Sequence, residues 1–144
     1  MQKEPAVRSL TIQNLLSFGE ERTTIDLRPL NVLIGPNGSG KSNLIEVLGL
    51  LQSAPKELGT TIAEGGLIDD WLWKGASRSP VASIEATVSR PMGPTDLLYR
   101  LGFKKVGFRF RIVDERIADQ ANLYYKLEGG RAVLVRKGKK IARS

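Results

Sequence analysis

The stretch Asn31-Val32-Leu33-Ile34-Gly35-Pro36-Asn37-Gly38-Ser39-Gly40-Lys41-Ser42 decides how the rest of the chain is read. Its first four residues are a short, unbroken apolar run, the pattern of a strand buried on both faces. The next eight fit GxxxxGK[ST]. Glycines let the backbone take positive φ and approach an anion with no Cβ in the way. The loop amides then form a concave anion nest, and the following helix adds the positive end of its dipole. A lysine at position 41 reaches β- and γ-phosphates, and a serine hydroxyl at 42 binds Mg²⁺. Asn37 tolerates the turn geometry. From Lys41 to Gln52, Leu44, Val47, Leu48 and Leu51 recur at spacings of three and four, which predicts an amphipathic helix, with Pro55 after its end. Gly35, Pro36, Asn37, Gly38, Ser39, Gly40, Lys41 and Ser42 are therefore the candidate nucleotide-binding residues. ATP and Mg are the expected cofactors, with Ser42 as the metal contact.

Outward from this unit the pattern turns to strands. Leu10 to Leu15 and Thr23 to Leu27 read as two strands of a hairpin, with a turn at Gly19-Glu20-Glu21. After the helix, Lys56 to Ala63 predicts a short helix broken by Gly65-Gly66, and Leu67 to Trp73 a further turn or two. Ser77 to Pro80 is a loop. From Val81 the period is two: Ile84, Ala86 and Val88 share a face. Pro91-Met92-Gly93-Pro94 is a turn. Leu97 to Phe103, Phe108 to Val113, Leu123 to Leu127 and Ala132 to Val135 are further strands in close succession, which makes an antiparallel meander.

The stretch GPNGSGKSNLIEVLGLLQ resembles the P-loop and first helix of ABC-type ATPases related to RecF, SMC and OLD proteins, among them predicted bacterial AAA-family ATPases. The upstream LTIQNLLSFGE and TTIDLRPLNVLI are similar to that family's N-terminal hairpin, and Asp70 to Gly75 to its aromatic stretch. The resemblance is strong over residues 8–52, weaker to 75, and one of pattern alone to 144. It implies an α/β P-loop NTPase fold: the N-terminal lobe of an ABC-type ATPase head, with a P-loop strand-loop-helix unit and an antiparallel β-meander. Residues 1–54 would be hairpin, P-loop and first helix, 55–80 a helical and loop insertion, and 81–144 the antiparallel strands. It also places Leu15 to Phe18 near the adenine.

The same resemblance implies a second lobe carrying a Walker B Asp-Glu pair and an LSGG-like signature. Residues 1–144 contain no match to the signature. Ile112-Val113-Asp114-Glu115 imitates a Walker B end, which makes Asp114 and Glu115 weak catalytic candidates. Arg109 and Arg111 at alternate positions give that strand a wet face, whereas a Walker B strand is apolar on both. The alternative is the charged end of an antiparallel strand. Gln52 has a parallel in the family's magnesium-contacting glutamine, but it also simply ends the first helix. The expected partners are ATP and a missing C-terminal lobe or second ATPase chain, with DNA possible.

Composition narrows the chemistry. The chain has 144 residues with no cysteine and no histidine, which removes disulfides, thiolate metal sites and histidine-based triads. No apolar run approaches the ~18 residues of a membrane span, and the first residues lack a signal-peptide core, so a cytoplasmic protein without membrane partners is expected. The net charge of +7 is uneven: residues 1–72 carry −3 and residues 73–144 carry +10. A basic half suits an anionic partner such as nucleic acid, or one solvated sheet face. Trp71 and Trp73 are read as core anchors rather than a base-stacking platform, and the basic stretch Arg131 to Arg143 as a solvated tail. Two further readings stay open: a small basic nucleic-acid-binding module with a vestigial P-loop, and a half-ATPase completed by a separate chain.

Overall fold

Val7–Gln13 forms β1, starting three residues before the apolar alternation suggested, and turns Leu10 and Ile12 into the core. Its other face is polar: Ser9 bonds to the Thr87 hydroxyl at 3.0 Å, and Thr11 and Thr24 hydroxyls lie 2.9 Å apart. β2, Thr23–Asp26, is its antiparallel partner. Between them Asn14 and Leu16 adopt φ of 54° and 53°, a left-handed geometry that costs a non-glycine residue roughly 1 kcal/mol. Hydrogen bonds from Leu16 N to Trp71 O (2.7 Å) and from Trp73 N to Asn14 O (3.1 Å) hold this turn. The structure is a computed structural model that describes residues 5–55, 58–76, 78, 80–90, 92–136 and 138–142. The readings that fall on Lys56, Ser77, Ser79, Pro91, Lys137 and Arg143 lie outside the described residues.

Three helices follow: α1 (Lys41–Ser53), α2 (Leu58–Glu64) and α3 (Ile68–Trp71). The buried stripe of α1 is Leu44, Val47 and Leu50, whereas Leu48 is exposed and Leu51 half-buried. The expected stripe of Leu44, Val47, Leu48 and Leu51 is thus rotated: both sets keep helical spacing, and the sheet selects the one that Leu50 completes. Trp71 is a core anchor, its indole N–H donating to Ile62 O at 3.1 Å. A Cβ at Gly65 would lie 2.3 Å from that indole, so only glycine lets α2 end there.

The remaining strands are β3 (Ala82–Val88), β4 (Leu97–Val106), β5 (Arg109–Ala118), β6 (Leu123–Glu128), β7 (Arg131–Arg136) and β8 (Lys139–Ala142). All pairings are antiparallel, in one eight-stranded sheet of order β2-β1-β3-β4-β5-β6-β7-β8. β8 overturns the reading of the basic terminus as a solvated tail. Val133, Leu134, Val135 and Arg136 pair with residues 139–142, and the apolar alternation of β7 supports a hairpin despite the charge. Phe108 does not join the inward alternation: with Gly107 at φ 63° it sits in the β4–β5 turn, 96% exposed.

Register explains where the core lies. One row of facing residues crosses the sheet: Ile25, Leu10, Ala86, Tyr99, Ile117, Tyr125, Leu134 and Ile141. A neighbouring row runs Ile12, Ile84, Leu101 and Glu115. α1 joins the core with the members of these rows on β1, β3 and β4, which are buried or half-buried. Toward β8 the first row emerges, and Leu134 and Ile141 are exposed.

Candidate nucleotide-binding site

The loop is built as the sequence motif requires. Gly38 and Gly40 take φ of 82° and 88°, and Gly40 is the N-cap of α1. The positive φ at Gly40 favours glycine, and a Cβ there would also meet Ser17 Oγ at 3.1 Å, whereas one at Gly35 would meet Ser39 Oγ at 2.7 Å and turn that hydroxyl aside. No side chain caps the helix start and its first turn holds no acid, so the positive end of the dipole is not cancelled locally. Lys41 Nζ donates to the carbonyls of Gly35 (2.5 Å) and Pro36 (2.7 Å) and to the Ser39 hydroxyl (3.1 Å). Three oxygen acceptors around one ammonium is the arrangement a phosphate chain also offers. Ser42 is exposed at the first turn of α1. Among the described residues no cluster of three acids gathers to hold a metal, so a magnesium ion here would rely on the Ser42 hydroxyl, phosphate oxygens and water.

Two clefts flank the loop. One, of about 330 Å³, lies between the loop and Phe18, Ile25 and Val32. The other, of about 530 Å³, brings Ser17 and Asn43 together with Trp73 and Lys74. Ser17, in the Leu15 to Phe18 stretch that the resemblance places near the adenine, is exposed and comes close to the loop at Gly40. Trp73 is half-buried rather than core. The expected strand at Asn31 to Ile34 is not formed: the segment is irregular and exposed, Ile34 by 90%, with no ladder partner among the described residues. An apolar run states what the side chains require, while the strands that bury it must come from elsewhere, and the sheet of this chain ends at β2.

Asp114 and Glu115 lie within β5, in the antiparallel sheet, and line neither cleft beside the loop. Asp114 accepts from Arg100 Nε at 2.6 Å on the outer face, where Arg100 also meets Glu85 at 3.1 Å. Glu115 faces inward and accepts from the Tyr99 and Tyr125 hydroxyls, each at 2.8 Å. Gln52 lies with Glu115 along a different cleft, at the far end of α1 from the loop. Burial and then the Glu115 hydrogen bond push the Tyr125 phenol up to about 12, and Tyr99 is raised for the same reasons. A phenol whose folded value is raised keeps its proton in the native state longer than in the unfolded one. Its contribution to stability is therefore whole below pH ~10 and lost as pH climbs through ~12. Absorbance at 295 nm is expected to show Tyr99 and Tyr125 titrating late, with Glu115→Gln returning Tyr125 toward ordinary values. Ionisation of Tyr99 and Tyr125 near pH ~10 in folded protein would contradict this.

A P-loop at the start of a helix, laid on an antiparallel sheet fed by an N-terminal hairpin, is the fold of a P-loop NTPase lobe of the kind found in SMC ATPases. Residues 30–142 match the family described as "AAA domain, putative AbiEii toxin, Type IV TA system", and the chain belongs to that family. The chain is 36% identical over 85 residues to the chromosome partition protein Smc of Mycobacterium tuberculosis, and 34% identical over 86 residues to Smc of Desulfitobacterium hafniense. These alignments cover 58% and 57% of the chain but 7% of either relative. A solved structure described as "Structural biochemistry of ATP-driven dimerization and DNA stimulated activation of SMC ATPases" superposes with a TM-score of 0.52 at 19% identity, over 74% of this chain and 72% of the other. That likeness supports the fold: the antiparallel lobe of a P-loop ATPase head. Among the described residues no helix is long and apolar enough to cross a membrane.

Proposed function

We propose that the chain binds Mg-ATP as the nucleotide-binding N-terminal part of a RecF/SMC-like ATPase that acts in a DNA-related process. The supporting observation is Lys41, held at an acid-free helix start and bonded to three oxygen acceptors of its own loop. Gly35 to Ser42 hold the triphosphate in this reading, and Ser42 contacts the magnesium. The exposed run Asn31 to Ile34 serves as the pairing surface for a second lobe or chain, which supplies the water-activating acid and the signature segment. Calorimetric titration tests the reading. Affinity is expected to fall from ATP to ADP to AMP, with adenosine the weakest, because the loop grips phosphates. Adenosine binding as tightly as ATP would overturn it.

The DNA side of the reading has its own support. On the sheet's outer face Arg100 is neutralised by Glu85 and Asp114, but Lys104 and Arg111 face each other with Arg109 next along β5, and no acid pairs with these three among the described residues. A row of this kind suits a phosphate backbone, whose affinity falls steeply with salt. If this face were the whole function and the P-loop a relic, duplex binding would persist while nucleotide binding was absent.

A further inference from the structure

Glu115 is out of keeping with its place in the sheet. The row that contains it runs through Ile12, Ile84 and Leu101, all fully buried, and ends on a carboxylate. A β-bulge puts it there: Phe103 faces Ile112 while Gly102 faces Asp114, so Val113 is the extra residue and the strand's facing is reset. Bulges of this kind re-aim side chains beside functional sites. Glu115 lines a cleft of about 560 Å³ between the second half of α1 and the sheet, walled by Leu48, Leu51, Val88 and Ile117. Two tyrosine hydroxyls orient the carboxylate, and no lysine or arginine pairs with it among the described residues. A carboxylate in an apolar cleft calls for a cation.

From the cleft the apolar row continues through Tyr125 to Leu134 and Ile141, which are 41% and 46% exposed. Two positions along β7 from Leu134, on the same face, Arg136 stands opposite Lys139. Both are exposed, and neither pairs with an acid among the described residues. The inner face thus offers an acid at one end, an apolar strip, and two bases at the other end. Strand spacing and rise place these ends roughly 20 Å apart, the length of about 13 residues of helix.

We propose that this strip is a docking site for an amphipathic α-helix of a separate polypeptide. The helix lies with its N-terminal end, bearing a lysine or arginine, at Glu115 and its acidic C-terminal end at Arg136 and Lys139. The dipole of such a helix agrees with this polarity at both ends. The apolar face of the helix covers Tyr125, Leu134 and Ile141. The proposal does not depend on nucleotide binding.

Two labelled peptides of about 14 residues, stapled to be helical and sharing one leucine face, provide the test with the full chain. One carries lysine in its first turn and glutamate in its last, and the other the reverse. Fluorescence anisotropy is expected to show the first binding roughly tenfold tighter. Leu134→Asp is expected to abolish binding of both. The pair Arg136→Glu and Lys139→Glu, exposed changes that leave the core alone, is expected to remove the preference, as is Glu115→Gln. Far-UV circular dichroism checks that each variant is folded. Equal affinity of the two peptides for the parent chain overturns the proposal, as does no binding of either at about 100 µM. A chain dimer that excludes the peptides and falls apart with Leu134→Asp also overturns it, because the strip then belongs to a second copy.

Discussion

Lys41→Ala is expected to weaken Mg-ATP binding about 10- to 150-fold, equivalent to the ~1.5–3 kcal/mol of a charge-assisted hydrogen bond. No backbone amide replaces an ammonium at that point. The gain from phosphate is net of the three contacts with Gly35, Pro36 and Ser39 that Lys41 gives up when its N–H groups turn to the nucleotide. Those same contacts are made at a partly exposed side chain, so the melting temperature without nucleotide is expected to move little. Calorimetry on parent and variant reads both quantities. Equal ATP affinity would remove the lysine from the site.

Phe103→Ala is expected to cost more stability than alanine at any other fully buried side chain among the described residues, because Phe103 is the largest of them. Phe103 is fully buried, with Ala82 facing it on β3 and Ile112 on β5. Truncating a buried phenylalanine costs about 3–5 kcal/mol through lost transfer energy and the cavity left behind. That is a large share of the ~5–15 kcal/mol by which a domain is stable, and lowers the melting temperature by roughly 10–15 °C. Thermal unfolding followed by far-UV circular dichroism measures it. A drop of a few degrees would mean that the α-side of the sheet packs less tightly than the burial of Leu101 and Phe103 indicates.

The geometry of the candidate loop was legible because it is local. Gly35 to Ser42 carries its own geometry: φ at Gly38 and Gly40, the reach of Lys41, and the start of α1 follow from eight consecutive residues. The meander was legible because period-two alternation survives in β3 and β4. What the sequence could not show depends on partners distant along the chain. Leu48 and Leu50 both fit a helical stripe, and only the sheet chooses between them. Val32 and Ile34 have the composition of a buried strand with nothing in this sheet to bury them. The bulge at Val113, which turns Glu115 inward, arises from pairing with β4 and has no signature in β5 itself. The charge of Arg136, Lys139 and Lys140 hid a hairpin whose alternation lies in Val133 and Val135.

Whether Gly35 to Ser42 grips the triphosphate is read residue by residue by amide chemical-shift mapping. With Mg-ATP added to the labelled chain, the largest shifts are predicted for the amides of Gly38, Ser39, Gly40, Lys41 and Ser42. Smaller ones are predicted at Ser17 and Asn43, in the cleft beside the loop. Shifts confined to the strands of the meander, or none at saturating Mg-ATP, would contradict that grip.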